Sequence, residues 1–272
     1  VGAIRRIIGA VIDRALRHLR WRRARAGRSV RAARVVDETW AYLARELRPR
    51  STTGTYTVGT RRVVLRHHTQ DTQIFQEIFT AGFYRLSPPA ARALGDPRRI
   101  VDLGGNIGIF GLWAAIHWPN ADVVAFEPDP ANAARYRTLL RDNDLPWRLV
   151  EACATAHAGT VRFAAGQEST SMRSEAGALE VPAVDALPAL ADADLIKMDI
   201  EGGEWELLLD PRFADGDARV VLMEYHPHLC PTDDPRALAE HTLTAAGYTV
   251  VPILHAPEGH GMLCAFRSAR RG

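Results

Sequence analysis

Two periodicities divide the chain. Over residues 3–24, Ile4, Ile7, Ile8, Val11, Ile12, Ala15, Leu16 and Leu19 recur at helical spacing with arginines between them, which predicts an amphipathic helix. Arg20 to Arg34 continues as an arginine-dense stretch, and Val35 to Leu47 predicts another helix, ended by Pro49 and the polar run Ser51-Thr52-Thr53-Gly54. Residues 55–68 alternate instead, around Tyr56, Val58, Val63, Val64 and Leu65, and predict a hairpin that turns at Gly59. Asp71 is placed to cap the helix that follows, with Ile74, Phe75, Ile78 and Phe79 on one face and Gly82 at its end.

From Arg98 onward, strand-like and helix-like segments take turns. The expected strands are Ile100–Leu103, Val123–Phe126, Trp147–Ala152, Val161–Phe163, Asp194–Ile200, Val220–Tyr225, Tyr248–Leu254 and Met262–Phe266. The expected helices are Ile109–His117, Pro130–Asp142 opening on Asp129, and Pro235–Ala246. Such alternation predicts an α/β fold, a doubly wound and mostly parallel sheet with helices on both faces. Only seven residues, His255 to Gly261, join the last two strands; that is too short for a crossover helix, so the last strand should run antiparallel. The expected organisation is a basic helical extension over 1–54, a small hairpin and helix covering the pocket over 55–97, and a catalytic α/β domain over 98–272.

Composition narrows the class. Hydrophobic residues at 47% and charged residues at 24% are ordinary for a soluble domain. No stretch approaches the roughly 18 apolar residues of a transmembrane helix, and the charged first twenty residues do not form a secretory signal, so a cytoplasmic location is expected. Cys153, Cys230 and Cys264 are sparse and widely spaced, which suggests reduced thiols and no zinc site. The net charge of +2 conceals an asymmetry, because residues 1–50 hold fourteen arginines against four acids. That basic end could pack on its own domain or on a second copy, making a homo-oligomer through the N-terminal helix. It could instead meet an anionic membrane surface or a nucleic acid. No nucleic-acid motif accompanies it, so packing takes precedence and no nucleic-acid partner is expected. Lys197 is the only lysine in the chain, and the sequence alone assigns it no role.

Candidate chemistry concentrates at one strand-to-helix junction, Val101-Asp102-Leu103-Gly104-Gly105-Asn106-Ile107-Gly108. Glycines let the backbone turn sharply and approach a ligand, and the following helix offers amide groups at its start. Nineteen residues beyond Gly108, Glu127 ends the next strand, where a carboxylate can accept from two ribose hydroxyls. Dinucleotide folds share both features. However, an acid at Asp102 suits an ammonium group and repels a pyrophosphate, and the glycine spacing departs from G-x-G-x-x-G.

The chain resembles the FkbM family of methyltransferases over about residues 63–267. The resemblance rests on Asp102 to Gly108, on Phe126-Glu127-Pro128, and above all on Leu195-Ile196-Lys197-Met198-Asp199-Ile200-Glu201-Gly202-Gly203-Glu204. The segment Asp71 to Phe79 and on through Tyr84 supports it. It implies an S-adenosylmethionine-dependent enzyme, often one that methylates a hydroxyl on a sugar or secondary metabolite. Carried over, Asp102, Gly104, Gly105, Asn106 and Gly108 would cradle the amino-acid end of the cofactor. Glu127 and Pro128 would lie at its ribose, Ala152 and Cys153 at its adenine, and Tyr84 would fold over the pocket beside Phe83. Cys153 also reads as a small buried hydrophobe, and Ser169-Thr170-Ser171 as a polar loop touching cofactor or substrate.

Asp199 and Glu201 end the fourth strand of the domain, where open α/β sheets bind ligands. Either could act as general base, or the pair could hold a divalent ion; a metal is admitted by this pairing but not predicted. Glu201 could equally cap the helix that begins near Gly202. His226, just past Val220–Tyr225, is the alternative base, with Glu224 and Tyr225 nearby. His67 and His68 read as surface residues. The expected partner is a small-molecule acceptor. The rival readings are N-methylation of a small molecule, a nicotinamide-dependent oxidoreductase, and a non-enzymatic basic binding module.

Overall fold

Strand-forming residues that are buried on both pleat faces organise the larger part of the molecule. The computed structural model describes residues 26–164, 172–173, 179–257 and 259–267. The expected helix over 3–24 and the loop Ser169–Ser171 lie outside the described residues. The chain divides into two compact units, residues 1–82 and 83–272, so the hairpin and the helix after it group with the segment that precedes them.

In the first unit, residues 26–33 are helical and are followed by α1 (Thr39–Glu46) and by an antiparallel hairpin of β1 (Thr53–Val58) and β2 (Arg61–Arg66). The turn falls at Gly59, whose φ of 60° is costly for a side-chain-bearing residue. Helix α2 (Gln70–Gln76) continues as a π-helical turn over Glu77–Ala81 and stops at Gly82. Its cap is not Asp71. The Thr69 hydroxyl accepts from the Asp71 amide at 3.2 Å, while the Asp71 carboxylate accepts from the amide and guanidinium of Arg66 at 2.8–3.0 Å. His67 is not a surface residue either: it is fully buried, with one ring nitrogen 2.6 Å from Glu46 Oε1 and the other 2.6 Å from the Tyr56 hydroxyl.

The second unit opens with α3 (Pro88–Leu94) and then alternates β3 (Arg99–Leu103), α4 (Ile109–His117), β4 (Asp122–Phe126), α5 (Pro130–Asp142) and β5 (Arg148–Val150). Helix α5 begins where expected, because the Asp129 carboxylate accepts from the amides of Ala131 and Asn132 and Pro130 occupies its first turn. After a smaller sheet come α6 (Leu187–Ala191), β10 (Leu195–Met198), α7 (Glu204–Leu208), α8 (Pro211–Asp215), β11 (Val220–Tyr225), α9 (Pro235–Ala245), β12 (Thr249–His255) and β13 (Gly261–Phe266).

The main sheet has seven strands in the order β12-β13-β11-β10-β3-β4-β5. β11, β10, β3, β4 and β5 are parallel, and β13 runs antiparallel between β11 and β12. All four residues of β10 and all six of β13 are buried, which requires cover on both faces. One face packs Val101, Leu103, Ile196 and Met198 against Trp205, Leu208, Phe213 and Leu243. Each such side chain contributes roughly 1.5–3 kcal/mol when fully buried.

The four-stranded second sheet, in the order β6-β9-β7-β8, was not foreseen. It comprises β6 (Cys153–Thr155), β7 (Gly159–Ala164), β8 (Met172–Arg173) and β9 (Leu179–Asp185), so the expected strand Val161–Phe163 belongs here and not to the main sheet. Pro182 lies within β9, and a proline argues against a strand when only sequence is read.

Candidate active site

The strand order reverses between β3 and β10. From β3 the chain moves outward through β4 and β5, then returns to β10 and proceeds the other way to β11. The carboxyl ends of β3 and β10 therefore lie at a topological switch point, and it is the crevice at such a point that takes ligands in open α/β sheets.

At its edge, Gly104 adopts φ +79°, and a Cβ there would stand 1.8 Å from the Asp199 carbonyl oxygen. This glycine is needed for the crossing of two chain segments. Gly105, Gly108 and Gly111 are needed for a different contact, since a Cβ on any of them would press on the ring or hydroxyl of Tyr136. The amides of Gly104 and Gly105 donate to the Phe126 carbonyl, that of Asn106 to Glu127 Oε2 at 2.7 Å, that of Ile107 to Asn106 Oδ1, and that of Gly108 to the Gly105 carbonyl. Each amide from Gly104 to Gly108 is thus engaged within the protein.

Acidic oxygens remain. Glu127 is buried and accepts from the amides of Asn106 and Asp129, one per carboxylate oxygen; burial nevertheless pushes its carboxyl up to about 7. Asp102 is fully buried, and neither of its oxygens has a hydrogen-bond partner among the described residues. Lys197 Nζ lies 3.2 Å from Asp102 Oδ1 but outside hydrogen-bonding alignment. Its protons go to the carbonyls of Leu103 and Gly104 at 3.1 and 2.6 Å. Burial opposes the Lys197 charge, and the carboxylates of Asp102 and Asp199 outweigh that, holding the ammonium above the usual lysine range. For Asp102 burial is the dominant influence and disfavours its charge, so the carboxylate depends on a nearby cation to stay ionised.

Across the crevice, Asp199 Oδ2 is 3.8 Å from Lys197 Nζ. Asp199, Glu201 and His226 converge, with one ligand atom from each lying within 4.8 Å of the others. Helix α7 arranges this group. Its first residue, Glu204, is fully buried and accepts from the amides of Ile200 and Gly202 and from His226 Nδ1 at 3.0 Å, while Trp205 donates its indole N–H to the His226 carbonyl at 2.9 Å. His226 Nε2 then faces Glu201 Oε2 at 3.6 Å and Glu224 Oε1 at 3.9 Å. Burial would lower the imidazole, but Glu204, Asp199 and Glu201 outweigh it and raise His226 to about 10. Burial, assisted by Asp199 and Glu204 against the pull of His226, raises Glu201 to about 7.

The fold thus brings Asp102, Gly104, Asn106 and Glu127 to one lip of the crevice and Asp199, Glu201 and His226 to the other. Pro128 is half-buried between Glu127 and the helix cap Asp129. Tyr84 is buried with its ring edge-on to Phe110, centroids 5.0 Å apart. Ala152 is buried where β5 gives way to β6, and Cys153 packs with Phe163, Val181 and Ala183 in the core of the second sheet. Sequence reasoning missed Lys197 and Glu204 as site residues. A lone lysine inside the apolar strand Leu195–Met198 was the available signal for the first. Glu204 stands in the first turn of α7, where an acid ordinarily meets the positive end of the helix, and nothing in the sequence tells that its carboxylate turns back onto His226.

The profile of the Methyltransferase FkbM domain matches residues 102–250, more than half of the chain. The chain belongs to the FkbM methyltransferase family. Methyltransferase 1 of Beauveria bassiana is 25% identical to it, with 65% of this chain and 80% of that one covered. Two solved structures overlay loosely. The precorrin-6y C5,15-methyltransferase of Geobacter metallireducens gives a TM-score of 0.40 at 15% identity over 65% of this chain and 88% of its own. M. jannaschii TYW2 in complex with AdoMet gives 0.41 at 13% identity over 82% and 90%. The fold of this methyltransferase is read from its own strand order, not from those overlays. Among its described residues no helix is long and apolar enough to cross a membrane.

Proposed function

We propose that this methyltransferase uses S-adenosylmethionine to methylate a hydroxyl of a small organic acceptor such as a sugar or secondary metabolite. The observation that carries the cofactor assignment is the charge character of the β3 lip. A fully buried carboxylate, Asp102, has the Lys197 ammonium at 3.2 Å and no backbone amide among the described residues, and the five loop amides beside it are already engaged. A pyrophosphate would find no donors in that loop and acids at Asp102 and Glu127 to repel it, whereas a cationic ligand meets a lip whose carboxylates favour positive charge. This favours a methyl-donor cofactor over a nicotinamide.

When bound, S-adenosylmethionine supplies an electrophilic methyl on a sulfonium centre, which departs as a neutral thioether. The chain's own part is to position and to move one proton. Asp102 meets positive charge at the amino-acid end, and the lone pairs that Glu127 has not given to backbone amides accept from ribose hydroxyls. Asp199, Glu201 and His226 face the acceptor, and the hydroxyl proton leaves into this group as the acceptor oxygen bonds to the methyl carbon and the C–S pair returns to sulfur. Holding the reacting atoms in line accounts for most of the acceleration. A set of acidic side chains at the acceptor position suits a hydroxyl, which must lose a proton, better than a free amine.

The test is calorimetric titration with S-adenosylhomocysteine, with NAD as control. S-adenosylhomocysteine should bind and NAD should not, and Asp102→Asn should weaken binding by roughly ten- to a hundredfold, the worth of a charge-assisted hydrogen bond of about 1.5–3 kcal/mol. Binding of NAD alone, or an unchanged affinity in Asp102→Asn, would overturn the assignment.

A further inference from the structure

The three side chains on the acceptor lip form a set that proton transfer alone does not require. General-base catalysis needs one group, yet Asp199, Glu201 and His226 bring two carboxylate oxygens and an imidazole nitrogen to within 4.8 Å of one another. In an octahedral site with bonds of about 2.1 Å, neighbouring donors are ~3.0 Å apart and opposite donors ~4.2 Å. Side-chain rotations that draw the donors together by up to about 2 Å would bring the set to that spacing.

The imidazole is what distinguishes this group from a patch of surface acids. Metal-bound histidines typically donate their second ring nitrogen to a carboxylate, which fixes both tautomer and orientation. That arrangement is present here. The Glu204 carboxylate, fully buried and pinned by the amides of Ile200 and Gly202, receives Nδ1 at 3.0 Å. Nε2 faces Glu201 and Glu224 at 3.6 and 3.9 Å, beyond hydrogen-bonding distance of either; with the proton kept on Nδ1 by Glu204, a cation at that position would displace the Nε2 proton and take its lone pair. Trp205 holds the same residue by its carbonyl, so ring and backbone are both fixed from the α7 side. The Nε2 atom is therefore aimed, within a ring only 13% exposed, at a point bordered by carboxylates.

Local charge points the same way. Asp199, Glu201, Glu204 and Glu224 gather around His226, and the nearby ammonium of Lys197 has its hydrogen bonds on the carbonyls of Leu103 and Gly104. Coulomb repulsion among partly buried carboxylates is offset most directly by a multivalent cation at their centre. Oxygen donors with one imidazole and no thiolate suit magnesium or manganese better than a soft ion.

We propose that Asp199, Glu201 and His226 bind one divalent cation, of the magnesium or manganese kind, whose outward coordination positions take two neighbouring oxygens of the methyl acceptor. The cation site stands on this geometry; the role given to the acceptor oxygens rests on the methyl-transfer reading above. It narrows the substrate class to acceptors with adjacent oxygens, such as a vicinal diol or a hydroxy-carbonyl compound. In that arrangement the cation lowers the pKa of the bound hydroxyl, its proton passes to water and not to the three ligands, and the resulting oxyanion attacks the methyl carbon while the C–S electrons return to sulfur.

The experiment uses the full chain, stripped with chelator, and Mn2+ alone as the probe, followed by its paramagnetic resonance signal. S-adenosylhomocysteine binding is measured on the same samples. One Mn2+ should bind per chain and be displaced by Mg2+. Asp199→Asn and His226→Gln should abolish binding, and Glu204→Gln should weaken it roughly 10- to 100-fold. S-adenosylhomocysteine should still bind to the chelated protein and to Glu201→Gln, a substitution on the acceptor lip that should itself weaken Mn2+ binding. Protein that binds S-adenosylhomocysteine but takes up no Mn2+, or takes it up equally in all these variants, overturns the cation site and leaves the methyl-transfer reading standing. Mn2+ binding without S-adenosylhomocysteine binding has the opposite consequence.

Discussion

Among the described residues, His67 and His226 are each hydrogen-bonded to a glutamate carboxylate, and the two differ in one respect. In the first unit, His67 is bonded at both nitrogens, to Glu46 and to Tyr56, and Ser29 donates its hydroxyl to the remaining Glu46 oxygen. In the second unit, His226 is bonded at one nitrogen, to Glu204, and presents the other to a crevice. A network in which every polar atom has a protein partner rigidifies its surroundings and offers nothing to a ligand. His226, by contrast, has its second nitrogen facing only carboxylates, at 3.6 and 3.9 Å, which under the proposal above is the position a cation takes. Residue type and sequence neighbourhood do not distinguish the two histidines; their hydrogen-bond partners do.

Four substitutions or conditions probe the contrast. The largest effect should come from His67→Ala, which leaves the Glu46 charge buried with only Ser29 and should cost on the order of 3 kcal/mol, read from the thermal or urea melt. S-adenosylhomocysteine affinity should be unchanged; a loss of affinity would mean that His67 is not purely structural. Tyr56→Phe should cost less, about 1–2 kcal/mol, because it strands only the His67 nitrogen opposite Glu46. His226→Gln should reverse the pattern, with a stability change of about 1 kcal/mol or less, since Glu204 keeps its two backbone amides, and with the ligand behaviour of the acceptor lip lost. A melt depressed as far as that of His67→Ala would erase the distinction.

The smallest effect is one of pH. Burial raises the Glu46 carboxyl, but hydrogen bonds from His67 and Ser29 and the charge of His67 outweigh it, so the folded value lies below the ordinary 4.5. The unfolded chain therefore binds more protons in this window. The contribution to stability is fully present above about pH 4.5 and fades as pH falls towards the folded value. Melts of wild type and Glu46→Gln between neutral pH and pH 3 should converge on the acid side; parallel curves would contradict this.

Much of the fold was legible because it depends on local patterning. The strands Ile100–Leu103 and Val220–Tyr225, the helices Ile109–His117 and Pro130–Asp142, and the antiparallel end all follow from apolar runs, an aspartate-proline start and a short connection. The second sheet did not, because Cys153–Thr155 is too short to carry a period and Pro182 speaks against its partner strand. Within the site, the residues at strand ends were legible by position. Lys197 and Glu204 were not, since what they do depends on where two carbonyls and one imidazole from distant segments arrive.

By itself, then, the sequence determined the α/β class, the strand-end placement of Asp102, Glu127, Asp199 and His226, and the family to which the chain belongs, all of which depend on residues near one another along the chain. Only the tertiary structure decided that the motif glycines serve the close passage of Asp199 and Tyr136, that the loop amides are already engaged, and that His226 is held by Glu204 while His67 is sealed. Hydrogen bonds and ion pairs act over a few ångströms of space, and partners in this fold lie as far as 123 residues apart, a separation that no periodicity encodes.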